Sequence, residues 1–280
     1  MRGLAILSLA FASAQAVALP APTVWSAPPI STEQFESHPA FDPRTGDLWF
    51  VRSTPEFRGW RLKVSRCTTT GWSAPADPPL AGNGVEADPW FSPDGRTLWF
   101  ISSRTTDGVK GRGIDIWRAT RGRAGRWSTP ERLPEPINSP GNEWYPRVDR
   151  DGWLYFGSDR PGGFGKTDIW RARAKRGRWM VENAGPNINS DGDEYEALPN
   201  PDGKWLLLSA DGYYRSERAG PGWSKRVRLG REINANGSEI GAAFSPSGRS
   251  WLFARSLDDG RSGELLLVGK ENWPKPCPRR

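Results

Sequence analysis

Histidine occurs once in this chain of 280 residues, at position 38, and cysteine twice, at positions 67 and 277. A single imidazole leaves a serine or cysteine triad only one base to use, and no Gly-x-Ser-x-Gly elbow is present to receive it. One histidine and two distant cysteines also fall short of the usual zinc ligand sets. The acidic turn Asp191-Gly192-Asp193-Glu194 lacks the spaced oxygen ligands of a calcium loop. No metal or cofactor is therefore expected. Long apolar runs are missing as well: beyond the first residues nothing approaches the length that spans a bilayer, so no membrane insertion is expected.

The N-terminus is the exception in composition. Arg2 precedes an apolar stretch from Leu4 to Phe11, and Ala14-Gln15-Ala16 or Ala16-Val17-Ala18 offers a small-x-small cleavage site. Residues 1–18 thus read as a signal peptide, which leaves residues 19–280 as one domain in the periplasm or outside the cell. No cysteine follows the cleavage region to carry a lipid anchor. The net charge of +7 in an exported chain directs attention to an acidic envelope protein or an anionic envelope polymer, and away from nucleic acid. In an oxidising compartment the two cysteines permit one intramolecular bond, Cys67 with Cys277.

What the chain has in abundance is tryptophan, with sixteen. Trp25, Trp72, Trp127, Trp179, Trp223 and Trp273 recur at intervals of 44 to 55 residues. Within each interval the order repeats: a Trp-led segment, a short apolar strand, a turn such as Pro93-Asp94-Gly95, and a strand such as Leu98-Trp99-Phe100-Ile101. A further strand follows, as in Asp115-Ile116-Trp117-Arg118. Pro presets φ, Asp binds its own backbone and Gly accepts a positive φ, so each turn closes a tight hairpin. Several short strands per period of this length predict an all-β, five-bladed β-propeller of four-stranded antiparallel blades. The last blade lacks a fourth strand of its own. The N-terminal copy Trp25-Ser26-Ala27-Pro28 matches Trp72-Ser73-Ala74-Pro75 and is expected to close the ring, in competition with Trp273-Pro274-Lys275-Pro276.

The Ser-Pro-Asp-Gly turn followed by Leu-Trp-Phe, and the run from Ser158 to Trp170, resemble the TolB-type WD-like propeller repeat. The resemblance extends over nearly all of the mature chain. It implies an exported propeller that binds other envelope components.

Counting back from the turn Asp position finds a glutamate in every unit: Glu36, Glu86, Glu143, Glu194 and Glu239. Five carboxylates should ring one mouth of the channel, either as a binding site or as five copies of one structural contact with arginines such as Arg104 and Arg160. The opposite face should be basic, and Arg121, Arg123, Lys175 and Arg178 are its candidate binding residues. Asp88, Asp191, Asp193, Glu194 and Glu196 are assigned to the acidic face. Trp60 and Trp144 lie outside the repeated positions and are the aromatic candidates for ligand contact. These features together give the expectation of a monomeric, non-enzymatic, TolB-like binding scaffold. The alternative is a glycan-processing enzyme with carboxylates in the channel.

Overall fold

The computed structural model describes residues 19–25, 27–106, 109–110, 113–256, 263–275 and 277; the expected signal peptide, 1–18, lies outside them. Its sheets are antiparallel and form a five-bladed β-propeller, with no helix among the described residues. Blade 1 contains Phe35–Phe41, Leu48–Ser53 and Arg61–Ser65; blade 2 contains Glu86–Phe91, Thr97–Ser102, Asp115–Thr120 and Glu131–Arg132. Blade 3 runs Glu143–Val148, Leu154–Ser158, Asp168–Lys175 and Arg178–Asn183, and blade 4 runs Glu196–Pro199, Trp205–Ser209, Tyr213–Ala219 and two outer fragments. Blade 5 has Ile240–Phe244, Trp251–Arg255 and Glu264–Val268, and its fourth strand is the N-terminal Thr23–Val24. Thr23 pairs with Leu267 and Val24 with Leu266, and Trp25 N donates to Leu265 O at 2.8 Å. The first and last described strands therefore share one sheet, which closes the ring and removes an open edge.

The hairpin turns are built as their residues dictate. In blade 2, Asp94 Oδ1 accepts from Arg96 N at 3.0 Å and from Ser92 Oγ at 2.6 Å, while Gly95 takes φ 64°. The Trp-led outer segments differ from the expected continuous fourth strands. Only blade 3 has a regular one, Arg178–Asn183; elsewhere the segment pairs briefly, departs and rejoins, as Gly222–Trp223 and Val227–Arg228 do in blade 4. The serine after the tryptophan accounts for the break. Ser73, Ser128 and Ser224 use Oγ to accept the backbone N–H of Arg66, Thr120 and Glu217 at 2.9 to 3.0 Å, replacing a ladder bond. Pro75 and Pro130 then lack the next donor. Blade 3 has Met180-Val181 there and stays paired.

Aromatic rings fill the spaces between blades. Trp49 of blade 1 stands edge-on to Phe91 of blade 2 at 5.6 Å, Trp205 of blade 4 to Phe244 of blade 5 at 4.9 Å, and Tyr213 to Trp251 at 5.3 Å. The C-terminal tail returns to blade 1. Trp273 packs on Phe41 at 5.5 Å, and Cys277 is bonded to Cys67 with their Cα atoms 5.5 Å apart.

Candidate functional site: two tiers of polar groups on the propeller axis

The innermost strands carry polar side chains at two levels. The outer level is the ring of Glu36, Glu86, Glu143, Glu194 and Glu239, all buried. Each accepts the backbone N–H of the residue four earlier: Thr32, Gly82, Ser139, Ser190 and Ala235. Each also pairs with an arginine, respectively Arg52, Arg104, Arg160, Arg226 and Arg255. The arginines in turn bind carbonyls of the loop that enters the strand, as Arg52 does with Ile30 O at 2.8 Å and Arg226 with Ile188 O at 2.7 Å. Burial pushes the Glu36 and Glu143 carboxyls up, against the opposing pull of Thr32 and Ser139 and of the paired arginine. In four blades the arginine comes from the end of the second strand or just past it, and in blade 4 Arg226 of the outer segment takes its place; each contact fastens the entry loop to its blade. Each carboxylate is buried and held through at least one oxygen, while Glu86 Oε2 and Glu239 Oε2 are buried without a hydrogen-bond partner.

The inner level lies two residues further along each strand, where the five blades supply His38, Asp88, Tyr145, Glu196 and Gly241. In four blades this position is a β-bulge: the pairing register shifts between Ser37 and Ala40, Ala87 and Trp90, Trp144 and Arg147, and Ile240 and Ala243. His38, Asp88, Tyr145 and Gly241 take φ of 50°, 56°, 53° and 66°. Such bulges re-aim a side chain, and a left-handed conformation at three non-glycine residues costs on the order of 1 kcal/mol each. Gly241 meets a second demand, since a Cβ there would lie 2.7 Å from His38 N. Its missing side chain leaves the space through which Glu196 of blade 4 reaches His38 of blade 1.

His38 Nε2 lies 3.0 Å from Glu196 Oε1 and 3.2 Å from Asp88 Oδ1. The two carboxylate oxygens are therefore no more than about 6 Å apart. His38 Nδ1 is 2.8 Å from Ser37 Oγ. Glu196 also accepts the backbone N–H of Gly241 on both oxygens, at 3.1 and 2.8 Å, and Asp88 accepts that of Tyr145 at 2.8 Å. Arg147, buried beneath, donates to Asp88 O at 3.1 Å and lies 3.5 Å from the centroid of the Tyr145 ring. Tyr145 donates its hydroxyl to Ala242 O.

Burial shapes the titration of this group. Desolvation is the largest influence on His38 and lowers its pKa, but Asp88 and Glu196 together outweigh it and leave the imidazole raised. Desolvation pushes Asp88 up, against the attraction of His38 and Arg147. Tyr145 is likewise raised by burial and stays protonated. A buried acid with a raised pKa beside a differently held carboxylate is an arrangement that can give and take a proton at one place.

Sequence reasoning placed Asp88 and Glu196 on an acidic rim; the bulge and the short strand turn them inward instead, where they are 4% and 6% exposed. It passed over His38 except as the missing partner of a triad. The readable signal was variety: a position that follows an invariant glutamate by two residues carries five different side chains, and repetition alone does not explain that.

The basic-face residues are also partly reassigned. Arg121 is not available to a ligand, because its guanidinium is paired with Asp42 of blade 1 and lies 4.2 Å above Trp127, with its side chain 6% exposed. Arg123, Lys175 and Arg178 are exposed. Trp60 and Trp144 are half-buried. Trp60 donates its indole N–H to Phe57 O at 2.8 Å, and Phe57 stacks on His38 at 6.4 Å. Trp144 packs edge-on against Tyr195 at 6.0 Å. The other end of the channel is a cavity of about 840 Å³, with Arg147 among its lining residues and Trp273 to Lys275 along its wall; His38, Asp88 and Glu196 do not line it. Among the described residues no group of three His, Cys, Asp or Glu is placed to hold a metal ion.

No protein-family model matches the chain, and no curated protein matches it in sequence. Solved structures do match in fold. A thermostable family-43 glycoside hydrolase superimposes with a TM-score of 0.53 over 91% of this chain and 99% of its own, at 12% identity. A family-117 glycoside hydrolase from Zobellia galactanivorans gives 0.52 over 90% and 89%, at 10% identity. A gluconolactonase from Xanthomonas campestris gives 0.48 over 92% and 98%, at 12% identity. The strand order and the two glycoside hydrolase likenesses establish the five-bladed propeller. Of the TolB-type resemblance, the propeller fold is what these comparisons support. The expectation of a non-enzymatic binding scaffold is corrected as well. The two glycoside hydrolases that share the fold are enzymes, and beside the five alike glutamates the axis holds a further, unequal carboxylate pair, Asp88 and Glu196.

Proposed function

We propose that this chain is a glycoside-cleaving enzyme whose reacting groups are Asp88 and Glu196, with His38 holding both in place. The observation that supports this most is their shared partner: two carboxylates from different blades meet one imidazole nitrogen, at 3.2 and 3.0 Å. Their separation of no more than about 6 Å falls on the side of retaining hydrolysis, for which about 5 to 5.5 Å is typical. Asp88, raised by burial, serves as the acid. It donates its proton to the glycosidic oxygen as the bond from that oxygen to the anomeric carbon breaks, and the leaving alcohol keeps the electron pair. Glu196, oriented by two bonds from Gly241 N, attacks the anomeric carbon. A water then adds to that carbon, gives its proton to Asp88 and releases Glu196.

The N-terminal segment and the basic charge accord with work on a polymer outside the cytoplasm. A panel of aryl glycosides of differing sugar and anomer tests the proposal with the purified mature chain. At least one should be cleaved, and Asp88→Asn and Glu196→Gln should each lose roughly 10²-fold or more in kcat. Cleavage that persists in both variants would remove the assignment.

A further inference from the structure

Between blades 3 and 4, on the face of the Asp-Gly turns, lies a groove of about 580 Å³ lined by Asp151, Trp153, Arg171, Arg173, Arg218 and Pro221. Its centre is the half-buried indole of Trp153, with the Arg171 guanidinium 4.3 Å and the Arg173 guanidinium 5.7 Å from the ring centroid. Two of the arginines are committed. Arg171 pairs with Glu182 and donates to Pro221 O, and Arg218 pairs with Asp151 at 2.6 Å. Arg173 is exposed and has no carboxylate partner among the described residues. Along the same strand the alternation of side chains puts Lys175 on the face of Arg171 and Arg173, and Lys175 stands opposite Arg178 in the neighbouring strand. Both are exposed, and neither forms an ion pair among the described residues. Three uncompensated cations, Arg173 in the groove and Lys175 and Arg178 beyond it, thus lie on the indole's side of the blade.

We propose that this groove is a second binding site, separate from the axis, for an acidic glycan. The indole offers a flat apolar face of the size of a sugar ring. Arg173 offers a planar fork that fits a carboxylate or a sulfate, and Lys175 and Arg178 extend the positive stripe to the next acidic residues of a polymer. A neutral glycan would use the indole alone and a generic polyanion the cations alone; an acidic glycan uses both. The inference rests on the glycan reading for the kind of polymer and on this groove for its charge. The axial carboxylates take no part in it.

Affinity electrophoresis of the purified full chain in gels containing a polyuronate, a neutral polysaccharide or double-stranded DNA tests the site. Retardation is expected in the polyuronate gel and not in the neutral one. Arg173→Gln combined with Lys175→Gln, both exposed positions that leave the fold intact, should weaken it roughly tenfold, and Trp153→Leu should weaken it with no change in charge. Glu196→Gln should bind the polyuronate as the parent does, whatever its effect on cleavage. Loss of cleavage alone therefore speaks to the axis, and loss of retardation alone to the groove. Equal retardation by DNA and polyuronate, or a double-glutamine variant that migrates like the parent, would overturn the proposal in favour of nonspecific ion exchange.

Discussion

His38 Nε2 and Glu196 Oε1 lie 3.0 Å apart across the propeller axis although 158 residues separate them in the chain. The contact joins blade 1 to blade 4 past Gly241 of blade 5, and with Asp88 it draws together blades that are otherwise linked only through their neighbours. A pH dependence follows from it. His38 is held above its ordinary value of 6.5, so the folded state binds its proton more tightly than the unfolded chain does. That stability is complete below pH 6.5 and declines as the pH rises through the folded value; Asp88, also raised, acts in the same direction from pH 3.8 upward. Thermal melting should therefore fall from pH 6.5 into the alkaline range, and His38→Gln should flatten the slope. An equal slope in that variant would show that other groups set it.

The glutamate ring should respond uniformly. Glu86→Gln and Glu143→Gln each leave a largely buried arginine, Arg104 or Arg160, without its anion. A loss of about 3 kcal/mol is expected for each, measured by urea unfolding followed through tryptophan fluorescence. Widely different losses would mean that the five contacts are not equivalent.

How far the sequence discloses this molecule depends on what repeats. The Pro-Asp-Gly turns and the glutamates recur once per blade, so blade number and ring were legible, and the match between Trp25-Ser26-Ala27-Pro28 and its internal copies identified the closing segment. Bulges leave no such mark. The register shift at His38, Asp88 and Tyr145 arises from the packing of five strands around an axis, and without it these residues read as ordinary members of an entry loop or strand. Arg121 was misread for a related reason: its partner Asp42 is 79 residues away and in another blade.

Arg121→Gln supplies the corresponding test of that reassignment. It should destabilise the fold by about 3 kcal/mol, since Asp42 is then buried without its cation. Retention on a polyuronate should be unaffected, in contrast to the Arg173 and Lys175 substitutions. Reduced retention with unchanged melting would return Arg121 to the binding surface.

The bond between Cys67 and Cys277 closes a separation of 210 residues and fastens the tail to blade 1. Mass spectrometry of non-reduced protein should find no alkylatable thiol. Cys67→Ser with Cys277→Ser should lose stability, up to about 5 kcal/mol by chain entropy alone. Two free thiols in protein purified without reductant would contradict the pairing.

Under the proposed function Asp88 and Glu196 break a glycosidic bond and are not merely a charge-balanced plug of the channel. Release of reducing sugar from a set of neutral and acidic oligosaccharides, followed by proton NMR to identify the first-formed anomer, tests it most directly. Release with retention of configuration is expected from the parent chain, and loss of that release in a Glu196→Gln variant that melts cooperatively and retains the polyuronate interaction. Release at the parental rate by that variant, or none by the parent chain over the whole set, would contradict it.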